Sequence, residues 1–239
     1  LLAKTRMGAI SLHRQVPPCP YVRQCGGCSW QHVAYEEQLR AKEELVREHL
    51  HRIGGMSDIP LLPILPSPEE WHYRHRIRLR VDQSRRIGFS PPRSHALVEI
   101  DSCLIAWRDV AQHLRAVREW ITALHTSVTQ VELAISERPD ATKETQIVCI
   151  GDAQGVFQQE DEVTCQRFLA AHPYVAGMML RGRAWRRVWG NTALTLTTGE
   201  NVFVVQDGAF TQVNPAANQL LVESLVRFSG VSKTHRVIE

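Results

Sequence analysis

Tyr73-Arg74-His75-Arg76-Ile77-Arg78-Leu79-Arg80-Val81 sets an arginine after every large side chain. Successive side chains of an extended backbone point to opposite faces, so this period of two predicts a strand over 73–81 with one buried and one basic face. Outward from it, extended segments are predicted at 86–90, 96–100, 129–136, 145–150 and 175–181, with a further pair near 193–197 and 201–205. Helical spacing marks 34–53 (Tyr35, Leu39, Val46, Leu50, Ile53), 107–125 (Val110, Leu114, Val117, Ile121, Leu124) and 160–171. Asn214 opens a last helix, with Leu221, Leu225 and Phe228 on one face until Gly230. Strands interspersed with a few helices predict an α+β fold with a mixed, mostly antiparallel sheet. Pro60, Pro63, Pro66 and Pro68 punctuate a connector that cannot be helical throughout, so a linker or domain crossing is expected there. Arg236-Val237-Ile238-Glu239 begins like a strand and stops.

The 239 residues, 44% hydrophobic, suffice for one large domain or two small ones. No charge-free apolar run approaches the roughly 18–20 residues that a membrane span needs, so no membrane partner is expected. The sequence opens Leu1-Leu2-Ala3-Lys4 without methionine or a secretory pattern, which suggests a fragment of a cytoplasmic protein. A net charge of +3 is too small to identify a nucleic-acid binder, so the placement of charge has to decide.

Among six cysteines, Cys19, Cys25 and Cys28 fall within ten residues, separated by five and then two positions. Gly26-Gly27 lets the backbone wrap, so three thiolates can converge on one centre, and such sets are normally completed by a fourth cysteine. Cys103, in Asp101-Ser102-Cys103 just past a predicted strand, is the best candidate. A cytosolic setting disfavours disulfides. Structural zinc is the stronger rival, although zinc sites usually show two close ligand pairs, whereas three clustered cysteines plus a remote one suit an iron-sulfur cubane. The radical-SAM pattern has a narrower first gap. Cys149, in the apolar run 147–150, and Cys165, on an amphipathic helix, read as small buried hydrophobes.

Between residues 74 and 93 stand seven arginines (Arg74, Arg76, Arg78, Arg80, Arg85, Arg86, Arg93) against one acid, Asp82. Arg181, Arg183, Arg186 and Arg187 surround Trp185 and Trp189 with no acid among them. Arginine beside aromatics suits phosphate contact and base stacking, so RNA is the expected partner of these two windows. The competing reading is a solvated strand face paired to acids elsewhere.

Three stretches together resemble the iron-sulfur RNA 5-methyluridine (uracil-C5) methyltransferases, close to the RlmD type that acts on 23S ribosomal RNA. They are Cys19-Pro20-Tyr21-Val22-Arg23-Gln24-Cys25-Gly26-Gly27-Cys28-Ser29-Trp30-Gln31-His32, then Trp71-His72-Tyr73-Arg74 with Gly88-Phe89 and Asp101-Ser102-Cys103, then Phe210-Thr211-Gln212-Val213-Asn214-Pro215 with Asn218. The resemblance implies residues 1–18 as the end of a TRAM RNA-binding region and 19–206 as a central domain holding a [4Fe-4S] cluster. It implies 207–239 as the start of a Rossmann-like domain that uses S-adenosylmethionine (SAM), and it implies that the helix over 34–53 packs partly on that domain.

The resemblance further implies methylation of a uridine at C5. A cysteine thiolate adds to C6, the methyl comes from SAM, and a base removes the C5 proton. In such enzymes that cysteine and base lie beyond the point matching residue 239, so no catalytic residue is assigned here and this segment alone should be inactive. Phe210 and Gln212 match residues that line the pocket for the flipped base, where an aromatic face stacks and an amide reads the uracil edge. Asn214 and Asn218 read equally well as a helix cap and a helix-surface residue. Ribosomal RNA is the favoured substrate and transfer RNA the alternative, and no obligate protein partner is implied. The rival functions are a noncatalytic iron-sulfur or zinc RNA-binding module and, more remotely, an iron-sulfur nucleic-acid repair enzyme.

Overall fold

The computed structural model describes residues 14–138, 144–206 and 209–230. The expected strand at 236–239 lies outside them. The chain divides into two compact units between Pro66 and Ser67, within the proline-punctuated connector.

In the first unit the cysteine loop is tightened by turn bonds from the Gln24 and Cys25 amides to the Tyr21 carbonyl, 2.9 and 2.7 Å. Gln31 is 7% exposed and staples the loop. Its Oε1 accepts from the Cys19 amide at 3.4 Å, and its carbonyl accepts from Gln15 Nε2 at 3.1 Å. Helix α1 (Tyr35–Arg52) carries Glu36 and Glu37 in its first turn and His49, His51 and Arg52 in its last, which complements the helix dipole. None of its residues is buried within the described structure.

The second unit is built on a seven-stranded sheet. Its members are β1 (Arg76–Val81), β2 (Ile87–Phe89), β3 (Val98–Glu99), β4 (Ser127–Glu137), β5 (Thr145–Gln154), β6 (Val175–Arg181) and β7 (Arg186–Gly190), in the order β3-β2-β1-β4-β5-β6-β7. Every neighbouring pair is antiparallel except β5–β6. Parallel neighbours need a crossover, and it contains helix α4 (Asp161–Ala171). Hairpin β8 (Leu194–Thr198) and β9 (Asn201–Val205) forms a second sheet. It packs through Leu194, Leu196 and Val205 on Ala134, Val148, Ile150 and Met179 of the large sheet. In β1, Ile77, Leu79 and Val81 are buried as the alternation requires, and full burial of a leucine such as Leu79 contributes about 1.5–3 kcal/mol.

Several elements depart from the sequence expectation. The strand over 73–81 starts only at Arg76, because Arg74 instead makes an isolated parallel bridge with Ala106. The helix over 107–125 is two helices, α2 (Arg108–Gln112) and α3 (Leu114–Ala123), broken at His113, whose ring stacks on Tyr174 at 3.6 Å. Edge strand β7 escaped notice because only Trp189 of its five residues is buried, which leaves no periodic signal. Helix α5 (Pro215–Ser229) follows the expectation: the Asn214 side chain caps it, Pro215 occupies its first turn, and Gly230 ends it at φ 62°.

Candidate base pocket, cysteine loop and basic surface

The β8–β9 hairpin, the end of β4, the entry to β1 and the segment leading into α5 enclose a pocket of about 310 Å³. Phe210 and Gln212 line it, together with His75, Glu137, Thr197 and Asn218. Arg76 Nη1 donates to the Ala209 carbonyl at 3.0 Å, and the Val213 carbonyl accepts from the His75 amide at 2.9 Å, so the Phe210–Gln212 segment is pinned on both sides. Phe210 is 83% exposed, so its ring face is open to solvent at the pocket. Asn214 is structural: its Oδ1 accepts from the Ala217 amide at 2.9 Å and its Nδ2 donates to Ser67 Oγ at 3.0 Å. Asn218 is both a helix residue and part of the pocket wall.

His75, Glu137 and Thr197 escaped the sequence reading. The one available signal was a histidine at an inward position of an otherwise apolar alternation. The Ile135 amide donates to the His75 carbonyl at 2.9 Å, and Trp107 meets the imidazole edge-on, centroids 4.3 Å apart. Burial lowers the pKa of His75 from 6.5 to about 4, against the opposing pull of Glu137. The ring is therefore neutral at physiological pH, and its Nε2 is buried without a hydrogen-bond partner among the described residues. Thr197 Oγ1 donates to Glu137, which fixes that carboxylate in the wall.

In the first unit, Cys19, Cys25 and Cys28 are close enough to couple electrostatically. Burial raises the Cys25 pKa, the Gly27 amide lowers it through a hydrogen bond to Sγ at 3.4 Å, and Cys28 and Cys19 raise it further. An amide donating to sulfur is the support that a ligating thiolate needs, and the thiol donor set suits iron or zinc. Among the described residues no group of three or more His, Cys, Asp or Glu could hold a metal ion as it stands. Cys103 belongs to the second unit. None of the six cysteines, all described, is in a disulfide. Burial pushes the Cys149 and Cys165 thiols up to about 12, which makes both inert as nucleophiles.

Most arginines of the first window have partners within the protein. Arg78 forks onto Glu132 Oε2 (2.8 and 3.2 Å), the residue directly opposite it on β4. Arg76 Nε lies 3.3 Å from Glu132 Oε1, a Coulombic contact without hydrogen-bond alignment. Arg80 donates to Ser90 Oγ and the His95 carbonyl, both at 2.7 Å, and Arg86 pairs with Asp82 at 2.7 Å. Arg85, at φ 61°, donates to the Ile121 carbonyl at 3.2 Å. Arg74 has its Nε buried. Arg183 and Arg186 lie exposed at the β6–β7 hairpin.

No family model matches the sequence. An uncharacterised RNA methyltransferase of Halalkalibacterium halodurans is 26% identical over 242 residues, covering 93% of this chain and 52% of the relative. The 23S rRNA (uracil(1939)-C(5))-methyltransferase RlmD of Thiobacillus denitrificans is 31% identical over 231 residues, covering 92% of this chain and 52% of the relative. The chain is a homologue of RNA methyltransferases. It spans about half the length of these relatives. Among solved structures, a tRNA (uracil-54, C5)-methyltransferase of Pyrococcus abyssi in complex with S-adenosyl-L-homocysteine matches at TM-score 0.60 and 20% identity, over 87% of this chain and 52% of that one. That likeness establishes a shared mixed α/β fold.

Proposed function

We propose that this chain is the RNA-recognising part of a SAM-dependent RNA uracil-C5 methyltransferase that acts on ribosomal RNA, with 23S rRNA the favoured substrate. The carrying observation is the pocket in which Phe210 and Gln212 meet, in a homologue of RNA methyltransferases. In this role Phe210 stacks on the flipped base, Gln212 hydrogen-bonds its edge, and neutral His75 and Glu137 shape the polar wall. SAM supplies the methyl group. The nucleophile and base come from outside the described residues, in keeping with the inert Cys149 and Cys165. Residues 1–18, 19–206 and 207–239 are assigned as the end of a TRAM region, the iron-sulfur domain and the start of the SAM domain.

Cys19, Cys25, Cys28 and Cys103 would hold a [4Fe-4S] cluster, which would tie the loop to a distant part of the chain. The spacing of the first three cysteines and the Gly27 amide on Cys25 support this assignment. Anaerobic purification should give iron and sulfide near four per chain, and Cys103→Ser should lose both. Zinc without sulfide, or full iron in that variant, refutes the ligand set. In a protein of the relatives' full length, Gln212→Ala should cut uridine methylation of 23S rRNA transcripts without reducing iron content. Unchanged turnover removes Gln212 from the site, and activity on tRNA alone overturns the rRNA assignment.

A further inference from the structure

The two basic windows that look alike in sequence differ in structure. In the first, Arg76, Arg78 and Arg86 face carboxylates, Arg80 and Arg85 donate to a hydroxyl or to backbone carbonyls, and Arg93 at its far end is exposed. A carboxylate beside a guanidinium offsets its charge and repels a phosphate, even where some N–H donors stay free. At the β6–β7 hairpin the nearby acids are already engaged. Asp152 holds Arg181 at 2.6 Å, and Glu162 accepts from Trp189 Nε1 and Gln166 Nε2, both at 2.8 Å. Among the described residues Arg183 and Arg187 have no carboxylate partner; Arg187 donates to the Arg186 carbonyl at 3.1 Å, and both are exposed.

Aromatic rings stand between these cations. Trp185 folds back over the turn, where a Cβ at Gly182 would lie 2.3 Å from Trp185 Nε1, and that nitrogen donates to the Gly155 carbonyl at 2.8 Å. Phe157 lies 5.5 Å from Trp185, centroid to centroid, and the Arg187 guanidinium sits 5.4 Å over the Phe157 ring. Strand β7 is the sheet's edge, so nothing in the sheet flanks it on the outer side. The result is a rigid, cation-rimmed aromatic platform on an open edge.

We propose that this platform, and not the arginine face of β1, is where a single-stranded stretch of RNA docks: Arg183 and Arg187 meet phosphates while an unstacked base lies on Trp185. The proposal rests on the RNA reading above and extends it to a surface outside the base pocket. Single-stranded RNA fits because ring faces accept any unstacked base and the flanking guanidinium groups track the backbone.

The test uses the full chain and a fluorescein-labelled oligouridine of about 12 nucleotides, within the usual span of single-strand sites, read by fluorescence anisotropy across a salt series. The double variant Arg183→Ala/Arg187→Ala should bind more weakly and lower the salt slope by about 1.4, because each lost contact to a single strand removes about 0.7. Trp185→Ala should weaken binding roughly 5- to 160-fold, the span of one lost base stack. Arg86→Ala/Arg115→Ala removes the same formal charge from arginines already paired to Asp82 and Glu119 and should leave the slope unchanged. Wild-type affinity in the Arg183/Arg187 variant, or an equal loss in the Arg86/Arg115 control, overturns the platform and leaves the RNA reading intact. A wild-type chain that does not bind the oligonucleotide overturns both.

Discussion

Replacing His75 by phenylalanine should remove a specific part of the protein's sensitivity to acid. In the folded state burial holds the imidazole neutral down to about pH 4, against 6.5 for an ordinary histidine, even though Glu137 nearby favours the cation. The sign follows from proton counts. Between 6.5 and about 4 the unfolded chain binds a proton at this residue that the native state refuses, so stability is lost as pH falls through that window. Each pKa unit is worth about 1.4 kcal/mol, so the loss amounts to about 2 kcal/mol by about pH 5 and levels off at about 3.5 kcal/mol. Phenylalanine keeps a ring against Trp107 but cannot titrate. Urea unfolding followed by tryptophan fluorescence at about pH 7 and about pH 5 should therefore show a shallower pH dependence in the variant by about 2 kcal/mol. His113, whose pKa is also lowered by burial against the pull of Asp109, contributes equally to both proteins and cancels. Identical pH dependence in the two proteins, or an NMR titration of the His75 ring near 6.5, would refute the reasoning.

Two further outcomes probe the scaffold around the pocket and the platform. Asp161 is fully buried, and although burial opposes its charge, hydrogen bonds from the His125 amide (2.8 Å), the Thr126 amide (2.7 Å) and the His125 ring outweigh that and lower its pKa. Asp161→Asn turns one acceptor toward a donor and should cost about 1–3 kcal/mol by thermal unfolding. The penalty should be present above the ordinary carboxylate pKa and shrink as pH falls through the lower folded value; a variant as stable as the wild type at neutral pH would show that the loop does not need the charge. Asn214→Ala removes the α5 cap and the tie to Ser67, and should cost about 1 kcal/mol. Faster amide exchange at Ala217 is the readout, and unchanged protection there would deny the capping role.

What could be read along the chain is what short-range physics controls. The alternation at 73–81 identified the core face of β1 because strand period is a property of the backbone itself. The Asn214-Pro215 start and Gly230 stop of α5 were visible because capping needs only a few neighbouring residues. The spacing of Cys19, Cys25 and Cys28 is local in the same way. His75 read simply as one more large residue of the strand, and no local signal marked the edge strand at 186–190, where four of five residues face solvent.

Tertiary structure alone decided which charges are spent and which remain available. Arg78 lies 54 residues from Glu132, and only the β1–β4 register sets them opposite each other. Arg183 and Arg187 stand in a stretch without acids, and the fold commits Asp152 and Glu162 to other donors. The pocket likewise draws His75, Glu137, Thr197 and Gln212 from four separated segments. Composition and spacing fix what each residue can do chemically. Long-range pairing fixes which partner it meets, and a guanidinium or an imidazole acquires its function from that partner or from the lack of one.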